Sequence, residues 1–299
     1  MIPPRGLTAY PITPMDRTGR VDATALRMLI ARLVAARVDG IGLLGSTGSY
    51  MYLTREERRR ALEAALSEAD GLPVLAGVGA LRTDEAIRLA QDAKAIGVTA
   101  GLLAAVSYTP LTEDEVFGHF STVAREGGLP IILYDNPGTT HFRFTPDLLH
   151  RLSRVPGILG VKNPTTDAAE TRRTLEEQRG FAPPGFSIGF SGDWNATEAM
   201  IAGADAWHSV LAGLMPRACL EITRAAARGD ADEARRLDAT LAPLWDMFRQ
   251  HSSLRVVHTL ADMLGICRAE PPRPILPLPE AIRRQLAETL AHLPKDILL

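Results

Sequence analysis

Lys162 closes an apolar run, Gly157-Ile158-Leu159-Gly160-Val161, and is followed at once by Asn163-Pro164. The chain writes almost all of its positive charge as arginine: of 33 basic residues only Lys94, Lys162 and Lys295 are lysines. A guanidinium holds charge or an anion but does not deprotonate, whereas an ammonium desolvated among Val and Ile can lose its proton and attack a carbonyl. Residue type and setting together point to an imine-forming lysine. The competing reading is structural, a lysine paired with a carboxylate. Lys94, on the flank of an amphipathic helix, and Lys295, near the C-terminus, are expected to be solvated.

Imine chemistry also needs groups that move protons and hold the substrate, and such side chains follow the other apolar runs. Thr13 follows the first, Ser46-Thr47 the second, Tyr108 the fourth, Tyr134 and Asn136 the fifth, and Ser191-Gly192-Asp193 the seventh. One amine, two phenols and several hydroxyls suit a cycle in which Lys162 attacks a 2-oxo acid. The iminium is then an electron sink for making or breaking a C–C bond. A tyrosine relayed through a threonine hydroxyl can shuttle the proton. Gly45-Ser46-Thr47-Gly48 offers backbone N–H groups and hydroxyls to a carboxylate or phosphate, and otherwise is only a turn. Tyr134 could equally be a core residue with a hydrogen-bonded tip.

Those positions share a rim only if the runs are strands of one barrel. The reading gives eight: Gly6 to Ile12, Gly40 to Leu44, Pro73 to Gly77, Gly101 to Ala105, Pro130 to Tyr134, the Lys162 stretch, Phe186 to Ser191, and Ala206 to Val210. Helical patterns lie between them. Asp22 can cap a helix with the apolar face Leu26, Leu29, Ile30, Leu33 and Val34; Thr54 with Glu57 and Thr112 with Glu115 read as capping boxes. Pro146 sits at a favoured first helical position. Strand–helix alternation at roughly 25–30-residue spacing fits an α/β fold of the (β/α)₈ barrel type, whose reactive side chains lie at the C-terminal ends of the strands. Residues 1–225 are assigned to this barrel. Residues 226–299 read as a C-terminal helical extension, with helices from Ala231 to Gln250, Leu254 to Leu264 and Pro279 to Leu293 and a rigid connector at Pro271-Pro272-Arg273-Pro274.

The bulk numbers exclude other classes. A net charge of −2 without like-charge blocks argues against nucleic acid or an anionic membrane as partner. No run approaches membrane-spanning length and no signal-peptide pattern opens the chain, so a cytoplasmic location is expected. Cys219 and Cys267 form no CxxC, and the seven histidines form no HExxH, so no metal site is expected. A literal GxGxxG, Gly40 to Gly45, lies within a strand with no helix until about Thr54. A dinucleotide fingerprint needs the helix immediately.

The motifs Ala9-Tyr10-Pro11-Ile12-Thr13-Pro14, Gly45-Ser46-Thr47-Gly48, Leu133-Tyr134-Asp135-Asn136-Pro137, Gly160-Val161-Lys162 and Ser191-Gly192-Asp193 follow in order along the chain. Together they resemble the pyruvate-dependent class I aldolases that include dihydrodipicolinate synthase and N-acetylneuraminate lyase. The resemblance covers essentially the whole chain. It implies a barrel with a C-terminal helical extension, usually a homotetramer, acting without metal or organic cofactor through a covalent imine at Lys162. Carried over by position, Tyr134 is the general acid/base, Thr47 the relay hydroxyl, and Tyr108 the tyrosine that reaches across a subunit interface. Ser46 and Thr47 hold the pyruvate carboxylate, with Gly48, Asn136, Thr139, Gly192 and Asp193 as further substrate-binding positions. Trp207 falls near a pocket-lining position of strand eight, though bulkier than the usual aliphatic. Thr139 stands where dihydrodipicolinate synthases carry an arginine for the second substrate's carboxylate, and the next arginine is Arg143. Ser49 and Asn163 replace glutamates usual in the family. The expected activity is a Schiff-base lyase, aldolase or dehydratase, on pyruvate or a pyruvate-derived 2-oxo acid. The alternatives are 4-hydroxy-tetrahydrodipicolinate synthase, which condenses pyruvate with aspartate semialdehyde, and an inactive small-molecule-binding barrel.

Overall fold

Short β-branched and Leu-rich runs too brief for helices form eight parallel strands, and amphipathic segments between them form the helices that cover the strands. In chain order these are β1 (Gly6–Ala9), α1 (Ala23–Ala36), β2 (Gly40–Leu43), α2 (Arg55–Leu66), β3 (Val74–Gly77), α3 (Thr83–Ile96), β4 (Ala100–Ala104) and α4 (Glu113–Glu126). There follow β5 (Ile131–Tyr134), α5 (Pro137–Thr140), α6 (Pro146–Ser153), β6 (Ile158–Pro164), α7 (Ala168–Phe181), β7 (Ser187–Ser191), α8 (Asp193–Ile201), β8 (Ala206–Ser209) and α9 (Pro216–Ala227). The chain ends in α10 (Ala231–Thr240), α11 (Ala242–His251), α12 (Ser253–Met263) and α13 (Glu280–His292). The structure, a computed structural model, describes residues 3–294; Lys295 lies outside them. Each strand pairs with the next and β1 pairs with β8, closing the expected (β/α)₈ barrel.

The helix starts follow their caps. Asp22 accepts from the backbone N–H groups of Thr24 and Ala25, and Thr112 with Glu115 forms a complete capping box. The Thr54–Glu57 box is only half formed. Thr54 accepts from Glu57 N, but the Glu57 carboxylate accepts instead from Val21 N at 2.7 Å, tying α2 to the loop before α1. The single helix expected over Ala231 to Gln250 is two, broken at Leu241. Pro243 has no N–H to give and its ring excludes a helical turn before it.

Alternation along the strands separates two cores. Leu75, Leu102, Ile132 and Tyr134 point into the barrel with Tyr10, while Leu7, Ile41, Leu103, Val161, Phe190 and Trp207 join the larger layer between strands and helices. Two glycines make room for rings inside the barrel. A Cβ at Gly42 would lie 2.2 Å from the Tyr10 ring, and one at Gly189 would lie 2.5 Å from His208 Nε2. The GxGxxG beginning in β2 is thus a packing feature: Gly42 lets Tyr10 cross the barrel, and only a 3₁₀ turn at Tyr50–Tyr52 comes before the α-helix at Arg55.

Candidate active site

Lys162 does not end its strand as expected. β6 continues through Asn163 and Pro164, which pair with Phe190 and Ser191 of β7. Lys162 itself pairs with Tyr134 on β5, and this register carries the amine to 3.6 Å from the Tyr134 ring centroid. The side chain is 5% exposed. Burial pushes the Lys162 ammonium below the ordinary lysine value, opposed by Tyr134 and then Asp193. A charged amine loses hydration there that the ring face only partly replaces, so the neutral nucleophilic form gains. No carboxylate forms an ion pair with Lys162 among the described residues, against the structural reading. Asn163 points away from the amine. Its amide closes a reciprocal pair with Gln178 of α7, 2.9 Å in each direction, so its departure from glutamate alters the outer layer rather than the pocket.

The Tyr134 phenol has two polar neighbours. Asn136 Nδ2 donates to Tyr134 Oη at 2.9 Å, and Ser46 Oγ lies 3.3 Å from the same oxygen. Thr47, expected to be the relay hydroxyl, lines the cavity but is not hydrogen-bonded to Tyr134; the turn after β2 presents Ser46 to the phenol instead. Asn136, expected to touch substrate, is committed to the phenol.

The seventh and eighth strands differ further from expectation. Trp207 does not line the pocket. Its neighbour His208 takes the inward position, so the alternation sends Trp207 outward, fully buried, with Nε1 donating to Asp193 Oδ1 at 3.0 Å. Asp193, the first residue of α8, also accepts from Leu211 N at 2.8 Å and Val210 N at 3.3 Å. Burial pushes its carboxyl up to about 6 against the pull of these donors. Asp193 therefore locks the chain beyond β8 to the start of α8, at the cavity's edge. Gly192 adopts a φ of 96°, and a Cβ there would lie 2.4 Å from Thr165 Oγ1, so only glycine fits. Beneath Lys162, His208 Nδ1 lies 3.2 Å from Tyr10 Oη. Burial and then the Lys162 charge hold His208 well below the ordinary imidazole value. Sequence reasoning missed this histidine, because the phase of β8 is fixed only by its pairing with β1.

Lys162 opens into a cavity of about 650 Å³, within the size range of small-molecule sites. Ser46, Thr47, Tyr134, Asn136, Thr139, Gly192 and Asp193 line it; Gly48, though buried, does not. Thr139 is exposed and its hydroxyl donates to Asn136 O at 3.2 Å, capping the turn of α5. Tyr108 is 96% exposed and is not part of the cavity wall. The outer wall comes from the C-terminal helices, through Phe248 and Ser252 to Arg255, and from Ile275. Arg255 was not anticipated: it lies 93 residues beyond Lys162 in a segment legible only as an apolar helix face. No grouping of His, Cys, Asp and Glu able to hold a metal occurs among the described residues.

Residues 3–293 match the dihydrodipicolinate synthetase family. A 4-hydroxy-tetrahydrodipicolinate synthase of Alcanivorax borkumensis is 35% identical over 288 residues, 96% of each chain. Among solved structures, a dihydrodipicolinate synthase from Agrobacterium tumefaciens is 52% identical with a TM-score of 0.94, covering 97% of this chain and 98% of its own. A dihydrodipicolinate synthase from Acinetobacter baumannii, solved in complex with pyruvate, is 29% identical with a TM-score of 0.90, over 96% and 98% of the two chains.

Proposed function

The chain belongs to the dihydrodipicolinate synthetase family, and from that premise we propose that it is a Schiff-base lyase, aldolase or related dehydratase, acting on pyruvate or a pyruvate-derived 2-oxo acid. The observation that carries this reading is the buried Lys162 amine, stacked on Tyr134 and without a carboxylate partner among the described residues.

Neutral Lys162 Nζ adds to C2 of the 2-oxo acid, and the carbinolamine loses water as Tyr134 Oη supplies the proton. The protonated imine draws in the electron pair of a C3–H bond, whose proton passes to the phenolate, leaving an enamine. In condensation, C3 attacks the aldehyde carbon, restoring the protonated imine, and the aldehyde oxygen takes the proton from Tyr134 Oη, whose phenolate recovers one when the imine is hydrolysed. Water then hydrolyses the imine and returns Lys162 to its neutral form; cleavage runs the same steps backwards. Ser46 and Asn136 hold the phenol oxygen in line, so the relay hydroxyl is assigned to Ser46. Thr47, with the backbone of Ser46 and Thr47 that lines the cavity, takes the substrate carboxylate. The cycle uses no metal or organic cofactor. The exposed Tyr108 phenol is assigned to a contact with a second copy in a homotetramer, and a cytoplasmic setting suits a chain in which no described helix is long and apolar enough to cross a membrane.

A second reading, condensation of pyruvate with aspartate semialdehyde, is favoured by the names of the relatives. The inactive-barrel reading loses its main support, because Trp207 stands outside the pocket. The test is reductive trapping: incubation with pyruvate and borohydride should add one pyruvate-derived mass to the peptide containing Lys162, and Lys162→Arg should abolish it. Absence of an adduct in the parent protein would falsify the imine reading and favour the binding barrel.

A further inference from the structure

Pyruvate has six non-hydrogen atoms, and since a whole water takes roughly 30 Å³ of liquid while covalently bonded atoms pack closer, it needs less than about 180 Å³. The cavity of about 650 Å³ therefore holds considerably more than the 2-oxo acid. Lys162 and Tyr134 belong to strands inside the barrel, while Phe248, Leu254, Arg255 and Ile275 belong to the C-terminal region outside it, so the latter close one side of the surplus volume, opposite the barrel loops. Phe248, Leu254 and Ile275 make that wall apolar on either side of Ser252 and Ser253. Its charged member is Arg255.

Arg255 Nε donates to Leu276 O at 3.2 Å, which fixes the guanidinium plane, and no described carboxylate forms an ion pair with it. The other charged or titratable groups lining the cavity are Lys162, Asp193 and three tyrosines, Tyr50, Tyr52 and Tyr134. Asp193 is engaged by Trp207, Val210 and Leu211. A guanidinium held through Nε, with both η nitrogens free of partners among the described residues and with Ser252 and Ser253 beside it, is the geometry that takes a planar or tetrahedral anion through paired hydrogen bonds.

We propose that Arg255 anchors the anionic tail of the second substrate, an aldehyde whose far end carries a carboxylate or phosphate. The anchoring role that Thr139 cannot fill is met from α12 rather than from the end of β5. This rests on the reading that Lys162 holds the 2-oxo acid, and the test separates the two.

The parent protein, Arg255→Gln and Arg255→Lys are each assayed for condensation of pyruvate with succinic semialdehyde, glyceraldehyde 3-phosphate and butanal, with borohydride trapping of pyruvate in parallel. The parent should prefer at least one anionic aldehyde to butanal. Arg255→Gln should lower kcat/KM for that aldehyde about tenfold or more, mainly through KM, because a charge-assisted hydrogen-bond pair is lost. Butanal turnover and trapping should stay within about twofold, and Arg255→Lys should recover part of the loss. The aldehyde that loses more identifies the tail as carboxylate or phosphate. Equal losses for butanal and the anionic aldehydes, no loss for either, or no anionic preference in the parent would overturn the anchor while trapping still holds. Failure of trapping in the parent overturns the imine reading and the anchor with it.

Discussion

The two halves of the cavity are built by different means. Around the amine, position comes from sheet register: Tyr134 is the partner of Lys162 across β5 and β6, and Gly189 is its partner on β7. Backbone hydrogen bonds fix such neighbours to within the play of the strands. At the far wall, Phe248, Arg255 and Ile275 come from helix termini and a proline-rich connector that share no ladder with the barrel. Reaction chemistry is thus held by the part of the fold least able to vary, and substrate choice by the part most able to.

The sharpest way to break that division is Lys162→Met. Turnover should fall roughly 10⁴-fold or more, as for removal of a covalent catalyst, while thermal stability rises. The folded pKa of Lys162 lies below 10.5, so the buried ammonium costs stability at every pH below that folded value. The cost is relieved as pH climbs towards 10.5, so the stability gain of the variant in a thermal melt should shrink in alkaline buffer. A variant that melts lower at neutral pH would show that Lys162 is held by structural partners after all.

Tyr134→Phe should leave pyruvate able to form an adduct, though more slowly. It should reduce exchange of the pyruvate methyl protons with D₂O by roughly 10²–10⁴-fold, followed by NMR. Ser46→Ala should slow the same exchange by about tenfold and Thr47→Val by less, with Thr47→Val acting instead on the KM for pyruvate; the reverse ranking would return the relay to Thr47. The pH profile of trapping at low pyruvate sharpens the lysine half further. The rate should rise with pH as the amine deprotonates, and its midpoint should fall below the 10.5 of an ordinary lysine. A midpoint at or above that value contradicts the desolvated amine. The smallest effect is expected at Thr139→Ala: its hydroxyl serves the carbonyl of Asn136, so kcat/KM for any aldehyde should change by less than about twofold.

The barrel was legible because its strands are apolar runs of fixed spacing, and the lysine because it interrupts one of them in an arginine-rich chain. What was not legible depended on phase or on distance. Trp207 and His208 are adjacent, and only closure of β8 against β1 decides which of them turns inward. Ser46 and Thr47 are likewise adjacent in one turn, and only its placement against β5 shows that Ser46 meets the Tyr134 phenol. Glu57 had a sound local role as a capping partner and was recruited by Val21, a tertiary contact that no local pattern reports. The break at Leu241 was readable in principle, since Pro243 forbids the continuous helix. Arg255 carries no local mark; only the packing of α12 over the mouth gives it meaning.

The Tyr10 and His208 rings, seated over Gly42 and Gly189, plug the barrel below the amine. Lys162 therefore sits above a floor of buried rings, and its cavity has its mouth beneath the C-terminal helices. Water that would hydrolyse the first imine must enter by the route the aldehyde takes, so an aldehyde lodged in that mouth shields the enamine from premature quenching. A passive plug at one end thus imposes an order of events at the other.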